Sequence, residues 1–348
     1  MDGNTDKSER KMTFKSVLWN IFLVILGIAV IIVFVLGFLD THNDPLLNSD
    51  IKYYEWFVEA FPSLYYNESR GFINVVYLPY FYWLFLPWYP LGNTLIFYYF
   101  SLFNLISIIL ILIFARMLSN EFTILTYFIL LATGFHLGMW ANVETMVTAG
   151  YVVTYAVFYK HKKKRNSIDK YSIIYGIIVS FLGFKLLPLL FMFLFMYELV
   201  DFDNWKKSLK ALGLFLFGMI FIQGILNAYF LIINPDFRDI NYFIEIFQQS
   251  QVSKWYHFLA RPSVSIPLIF PAILLTKLSI STLKKRNKLE KDTLYIQIKK
   301  LLLLLIFCTP LAGFSLLMFP EYLFIPIGVL LSFNAVLIAI IFLKTKKL

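Results

Sequence analysis

The chain has 348 residues, 59% hydrophobic and 19% aromatic, with only 15% charged, whereas a soluble domain carries about 25% charged residues. A formal net charge of +10 raises nucleic acid as a partner. The basic residues, however, cluster at the ends of long apolar runs, where lysines flank membrane helices, and this excludes nucleic acid in favour of a bilayer. The one cysteine, Cys308, lies inside an apolar run, which rules out a disulfide framework.

Taken in chain order, residues 1–16 form a basic tail, followed by an apolar run over 17–39. That run exceeds a signal-peptide core of about 7–15 residues and lacks a small-residue cleavage site, so it reads as a retained helix. A span needs about 20 apolar residues, and candidates recur at 94–116, 122–139, 143–159, 171–184, 186–200, 209–232, 266–282, 301–317 and 322–343. The expectation is an all-α polytopic membrane protein of about ten transmembrane helices. The segment 75–91 (VVYLPYFYWLFLPWYPL) is also apolar, but Pro79, Pro87 and Pro90 and its many aromatics suit a helix lying at the interface.

With 75–91 left on the outer surface, 25 of the 31 basic residues fall on one side, and only Lys52, Arg70, Lys185, Arg238, Lys254 and Arg261 on the other. Basic loops stay cytoplasmic, so both termini, including the tail 344–348, are expected in the cytoplasm. The opposite face then carries two sizeable loops, 40–93 and 233–265, and tight turns near 140–142, 185 and 318–321. No tandem repeat of about 20–50 residues is present.

Polar groups kept at the membrane boundary are functional candidates, and every outward segment has one. The first loop holds Asp40, His42, Asp44, Asp50, Glu55 and Glu59. Asp50 precedes a short amphipathic stretch in which Tyr53, Trp56, Phe57 and Ala60 are expected to share one helical face. Ser49 or Asp50 either caps that helix or acts chemically. Asn142 and Glu144, in WANVET, are either an N-cap with a first-turn acid or polar groups aimed at a ligand. Lys185, in LGFKLLPLL, either snorkels to the interface or binds an anionic headgroup. The second loop interleaves Arg238, Lys254, His257 and Arg261 with Tyr242, Trp255 and Tyr256, a pattern fitting a lipid-carrier phosphate or a plain interfacial belt. Glu321 is a lone acid in a tight turn. Metalloprotease, paired-cysteine, serine-hydrolase and P-loop motifs do not occur.

The order of these pieces resembles the GT-C superfamily of integral membrane glycosyltransferases. The closest likeness is to glycosyltransferase family 87 and related polyprenyl-phosphate-mannose-dependent mannosyltransferases. It rests on Asp50-Ile51-Lys52-Tyr53-Tyr54 before an aromatic helix, on Leu64-Tyr65, and on Val76-Tyr77-Leu78-Pro79-Tyr80-Phe81. Gly138 to Thr145 is similar to the family's glycine/asparagine turn, Gly183 to Pro188 to its lysine-proline step, and Phe319-Pro320-Glu321-Tyr322 to its aromatic turn. Tyr80 departs from the pattern, standing where the family has a second proline.

The resemblance implies a single glycosyltransferase-like domain over 17–343 that moves a hexose, mannose by likeness, from a polyprenyl-phosphate donor to a glycan, glycolipid or protein acceptor with inversion, on the extracytoplasmic face. It implies Asp50 as catalytic base and Lys185, Arg261, Arg238 and His257 at the donor phosphate. Asn142, Glu144, Glu321, Tyr53 and Tyr54 are then expected to orient the substrates. A monophosphate leaving group met by cations needs no cofactor and no metal, although Asp40, Asp44 and Asp50 leave room for a divalent ion. Two other classes stay open: a transporter, which favours repeats around a midplane site, and a non-catalytic subunit of a membrane complex.

Overall fold

A computed structural model of the protein describes residues 14–42, 51–64, 66–67, 71–72, 78–141, 143–165, 171–184, 192–234, 262–285, 289–318 and 324–345. These residues are helical apart from one antiparallel pairing of two-residue strands, β1 (Tyr66–Asn67) and β2 (Gly71–Phe72). In chain order the helices are α1 (Phe14–Thr41), α2 (Ile51–Glu59), α3 (Phe81–Phe85), α4 (Asn93–Ala115), α5 (Asn120–Trp140) and α6 (Glu144–Arg165). They continue with α7 (Ser172–Phe181), α8 (Met192–Leu199), α9 (Trp205–Ile233), α10 (Pro262–Lys285), α11 (Lys291–Met318) and α12 (Phe324–Thr345). Short 3-10 turns follow α3 at Tyr89–Leu91 and α7 at Leu182–Phe184.

Among the described residues, four stretches are long and apolar enough to cross a bilayer: Ser16–Thr41, Asn93–Ala115, Phe122–Trp140 and Trp205–Ile233. Their apolar side chains also point outward. On α1, Leu18, Ile25, Ile28, Ile32 and Leu36 are each at least half exposed. In water such a surface would aggregate; in lipid it is the favourable arrangement. The chain is a membrane protein. Around Lys185, where two of the ten expected spans meet, the described part is the ten-residue α7 with its 3-10 turn and the eight-residue α8. Between 78 and 92 the chain forms only the five-residue α3 and a 3-10 turn, too short to cross.

Small residues bring the long helices together. α1 and α5 run parallel, with Gly27 near Tyr127 and Gly37 against Phe135 where the helices cross closely. α7 and α9 also run parallel, with Gly176 against Phe215 and Ser180 bonded to Met219 O. Lipid tails are as apolar as leucine, so helix association in a membrane depends on such close approach. α6 returns antiparallel to α7, for the Tyr151 hydroxyl donates to the Val179 carbonyl at 2.7 Å while His161 packs edge-on to Tyr171 at 4.7 Å. A second apolar cluster on α10, α11 and α12, including Leu275, Leu301, Cys308 and Ile341, is buried beside them. Within it the Asn334 amide donates to Thr276 Oγ1 at 2.8 Å.

These contacts sort the bundle's two ends by chemistry. One end gathers Arg116, which donates to Asn20 Oδ1 at 2.5 Å, and Lys162, which meets Glu198 Oε2 at 2.7 Å and its carbonyl. The start of α9, with Lys206, Lys207 and Lys210, belongs to the same end. The other end gathers α2, residues 78–92, the turn 141–144, the 3-10 turn 182–184 and the last turns of α9.

Candidate functional site

The site is built at the second of these ends, on α2. In IKYYEWFVE, Ile51, Tyr54, Phe57 and Val58 repeat at helical spacing and are buried. The inward face is therefore displaced from the one expected: Tyr53 and Trp56 are half-buried and pack edge-on to each other at 5.4 Å. Tyr54 is enclosed by Phe81 at 5.5 Å, Phe85 at 5.4 Å and Phe100 at 6.1 Å. Its hydroxyl oxygen accepts a 3.1 Å hydrogen bond from the Val143 N–H. This satisfies a backbone donor that the start of α6 leaves unpaired and pins α2 onto the turn between α5 and α6. Tyr53 and Tyr54, both expected to orient substrate, differ in burial: Tyr54 is a buried strut, and Tyr53 is half-buried with the Lys52 ammonium 5.2 Å above its ring.

Ala141 ends α5 in the left-handed region, at φ 46°, and is fully buried; an L-residue there costs about 1–2 kcal/mol, strain of a kind that collects at functional sites. Glu144 follows in the first turn of α6 and is only 1% exposed. A carboxylate there is stabilised by the positive end of the helix dipole. Its carbonyl accepts from Thr148 Oγ1 at 2.7 Å.

Residues 78–92 close the site from the side. The Leu78 N–H donates to the Phe184 carbonyl at 2.6 Å. The Tyr80 hydroxyl donates to the carbonyls of Phe181 at 2.7 Å and Ser180 at 3.3 Å. Burial pushes the Tyr80 phenol well above its usual range, only partly offset by its hydrogen bond with Gln223, so it stays a neutral donor. Gln223 Nε2 donates to the Ser180 carbonyl at 2.7 Å, and Ser180 Oγ donates to Met219 O at 2.9 Å. Tyr80→Phe removes one donor from two buried carbonyls, an expected loss of about 1–3 kcal/mol, to be read as a lower midpoint in thermal unfolding.

Between these pieces lies a cavity of about 240 Å³ walled by Phe81, Phe85, Trp88, Phe100, Val143, Met146, Leu182 and Phe184. At the same end of the bundle, Asn93 Nδ2 donates to Glu55 Oε2 at 3.0 Å. Burial first, then the carboxylates of Glu59 and Glu55, hold the Tyr89 phenol above its usual value. An apolar, aromatic-walled hollow suits the apolar part of a ligand.

Of the residues expected in the site, Glu144, Tyr53 and Tyr54 are described; Tyr54 packs against the wall of this hollow, and Glu144 follows its lining residue Val143 in the chain. Asp50, Asn142, Lys185, Arg238, His257, Arg261 and Glu321, and with them Asp44, lie outside the described residues. Chain neighbours of three of them are described: Ile51 after Asp50, Ala141 and Val143 around Asn142, and Phe184 before Lys185, all buried at this end. Among the described residues no three His, Cys, Asp or Glu side chains come close enough to hold a metal ion. The sequence reading passed over Tyr80, Ser180 and the Gln223–Asn227 pair, in which Asn227 Nδ2 donates to Gln223 Oε1 at 2.8 Å. An amide pair four residues apart in an apolar helix was a readable signal.

No protein-family model, curated protein or solved structure matches this chain.

Proposed function

We propose that this protein is an inverting membrane glycosyltransferase that takes a hexose, mannose by the family likeness, from a polyprenyl-phosphate donor. The observation that carries the reading is that residues 81–88, Val143 and the 182–184 turn wall one aromatic cavity, with Tyr54 of α2 packed against Phe81, Phe85 and Phe100 of that wall. These pieces are separate in sequence and belong to four of the six segments on which the family likeness rests. They gather at the end of the bundle opposite the lysine-rich rim, which positive-inside asymmetry assigns to the extracytoplasmic face.

In this reading Asp50 takes the proton of the acceptor hydroxyl as its oxygen bonds to the sugar's anomeric carbon, within hydrogen-bond reach. The bond from that carbon to the phosphate oxygen breaks, and polyprenyl phosphate leaves. Lys185, with Arg261, Arg238 and His257, stabilises the charge growing on that phosphate. Glu144, Asn142, Glu321 and Tyr53 hold sugar hydroxyls in line. Chemistry needing only a carboxylate and cations runs without a metal.

The test is transfer itself. Purified protein in vesicles, given a polyprenyl-phosphate hexose and an extract of glycan acceptors, is expected to release polyprenyl phosphate and add one hexose to an acceptor, read by mass spectrometry. An intact, folded preparation that leaves every such donor unchanged contradicts the reading and favours a non-catalytic subunit.

A further inference from the structure

At the lysine-rich end, α9 carries a feature that the transferase reading does not use. Its buried face is Ser208, Ala211, Phe215, Gly218 and Met219. The diametrically opposite line runs through Lys206, Lys210, Gly213, Phe217 and Ile220, all exposed, with Ile220 at 72%. Among the described residues none forms an ion pair with Lys206 or Lys210, whereas Lys207 points elsewhere and meets Asp201 Oδ2 at 3.9 Å. Asp201 also accepts the Asp203 N–H at 3.1 Å, so of the two acids ahead of the helix one is already engaged. One turn apart on a helix face, Lys206 and Lys210 have β-carbons about 6 Å from each other, a spacing at which both ammonium groups reach one phosphate.

Below the lysines the surface is shaped. Gly213 leaves the surface open, since a β-carbon there would meet nothing within 4 Å. Phe217 and Phe221 form the floor, stacked at 5.8 Å and 20°. Trp205, 63% exposed, flanks the head of the stripe, where an indole suits the headgroup layer. The ten steps from Lys210 to Ile220 rise about 15 Å, the depth of one leaflet of a core about 30 Å thick.

We infer that this face of α9 is a binding site for an anionic phospholipid, its phosphate and acidic headgroup between Lys206 and Lys210 and one acyl chain over Gly213 and Phe217. Charge complementarity at the head and a single-leaflet apolar track set this occupant apart from a second copy of the chain, which would place lysine against lysine. The site needs only the membrane location of the chain and stands whether or not sugar transfer is found.

The experiment uses the intact protein in vesicles of phosphatidylcholine containing either brominated phosphatidylglycerol or brominated phosphatidylcholine. The Trp205 signal is isolated by subtracting a Trp205→Phe variant. Quenching at equal bromolipid content is expected to favour phosphatidylglycerol several-fold, to lose that preference in Lys206→Gln/Lys210→Gln, and to keep it in Lys206→Arg/Lys210→Arg. Raising salt is expected to shrink the preference in the unmodified chain, since exposed charges are screened beyond about 10 Å at 0.1 M. Equal quenching by the two lipids, a preference that survives the double glutamine change, or Trp205 shielded from both lipids by a second copy each overturns the site. If the glutamine variant does not fold, the lipid preference and its salt dependence in the unmodified chain decide alone.

Discussion

Gly138→Leu is expected to leave almost no folded protein. A β-carbon on Gly138 would sit 2.7 Å from the Phe38 nitrogen and nearer still to the Phe34 carbonyl oxygen. Both are backbone atoms of α1, so no rotamer change relieves the contact, and the two helices must part. From the facing side, a β-carbon on Gly37 would lie 2.9 Å from the Phe135 Cα; favourable carbon contacts need about 3.5–4.0 Å. Overpacking that side chains absorb costs about 1–3 kcal/mol. Here the backbone has to yield, which is a large share of a native stability of about 5–15 kcal/mol. The loss propagates to the site, because Gly138 lies three residues before Ala141 and fixes where the 141–144 turn meets Tyr54. The measure is the yield of monodisperse protein after detergent extraction. Gly224→Leu serves as control, since a β-carbon there meets nothing within 4 Å, and it is expected to behave as the unmodified chain. Equal yields from the two variants would show that the α1–α5 crossing is not close.

Asp50→Asn is the second large effect, and it separates chemistry from folding. Losing a general base lowers rate by about 10²–10⁴-fold, so transfer is expected to fall by at least two orders of magnitude with expression and insertion intact. Retained transfer removes Asp50 from the role. Lys185→Ala is expected to lose about 10²–10³-fold and to raise the apparent KM for the lipid donor more than that for the acceptor. A donor KM unchanged in that variant counts against the phosphate role of Lys185. Because both substitutions leave the Tyr54–Val143 and Tyr80–Phe181 hydrogen bonds untouched, melting behaviour is expected to match the parent.

The helical, membrane-embedded character of the chain was legible because hydropathy reports the transfer free energy of residue types, and the runs at 17–39, 94–116 and 209–232 are long and mostly apolar. The same index does not say which face of a helix turns inward. On α2 the adjacent tyrosines 53 and 54 allow two inward faces at helical spacing. Docking decides between them, because only Tyr54 reaches the Val143 N–H, a contact 89 residues away in sequence. Tyr80 shows the limit of pattern matching from the other side. As a departure from the family's proline it reads as a weakness, yet its hydroxyl ties residues 78–85 to the end of α7, an interaction that no proline supplies.

The account depends most on which side of the membrane residue 50 faces. In a Cys308→Ser background, single cysteines at positions 50 and 163 can be treated with a membrane-impermeant maleimide in sealed, right-side-out vesicles. The account predicts that position 50 reacts at once and that position 163, on the lysine-rich end of α6, reacts only after the vesicles are opened. Labelling of both positions from the same side would contradict it.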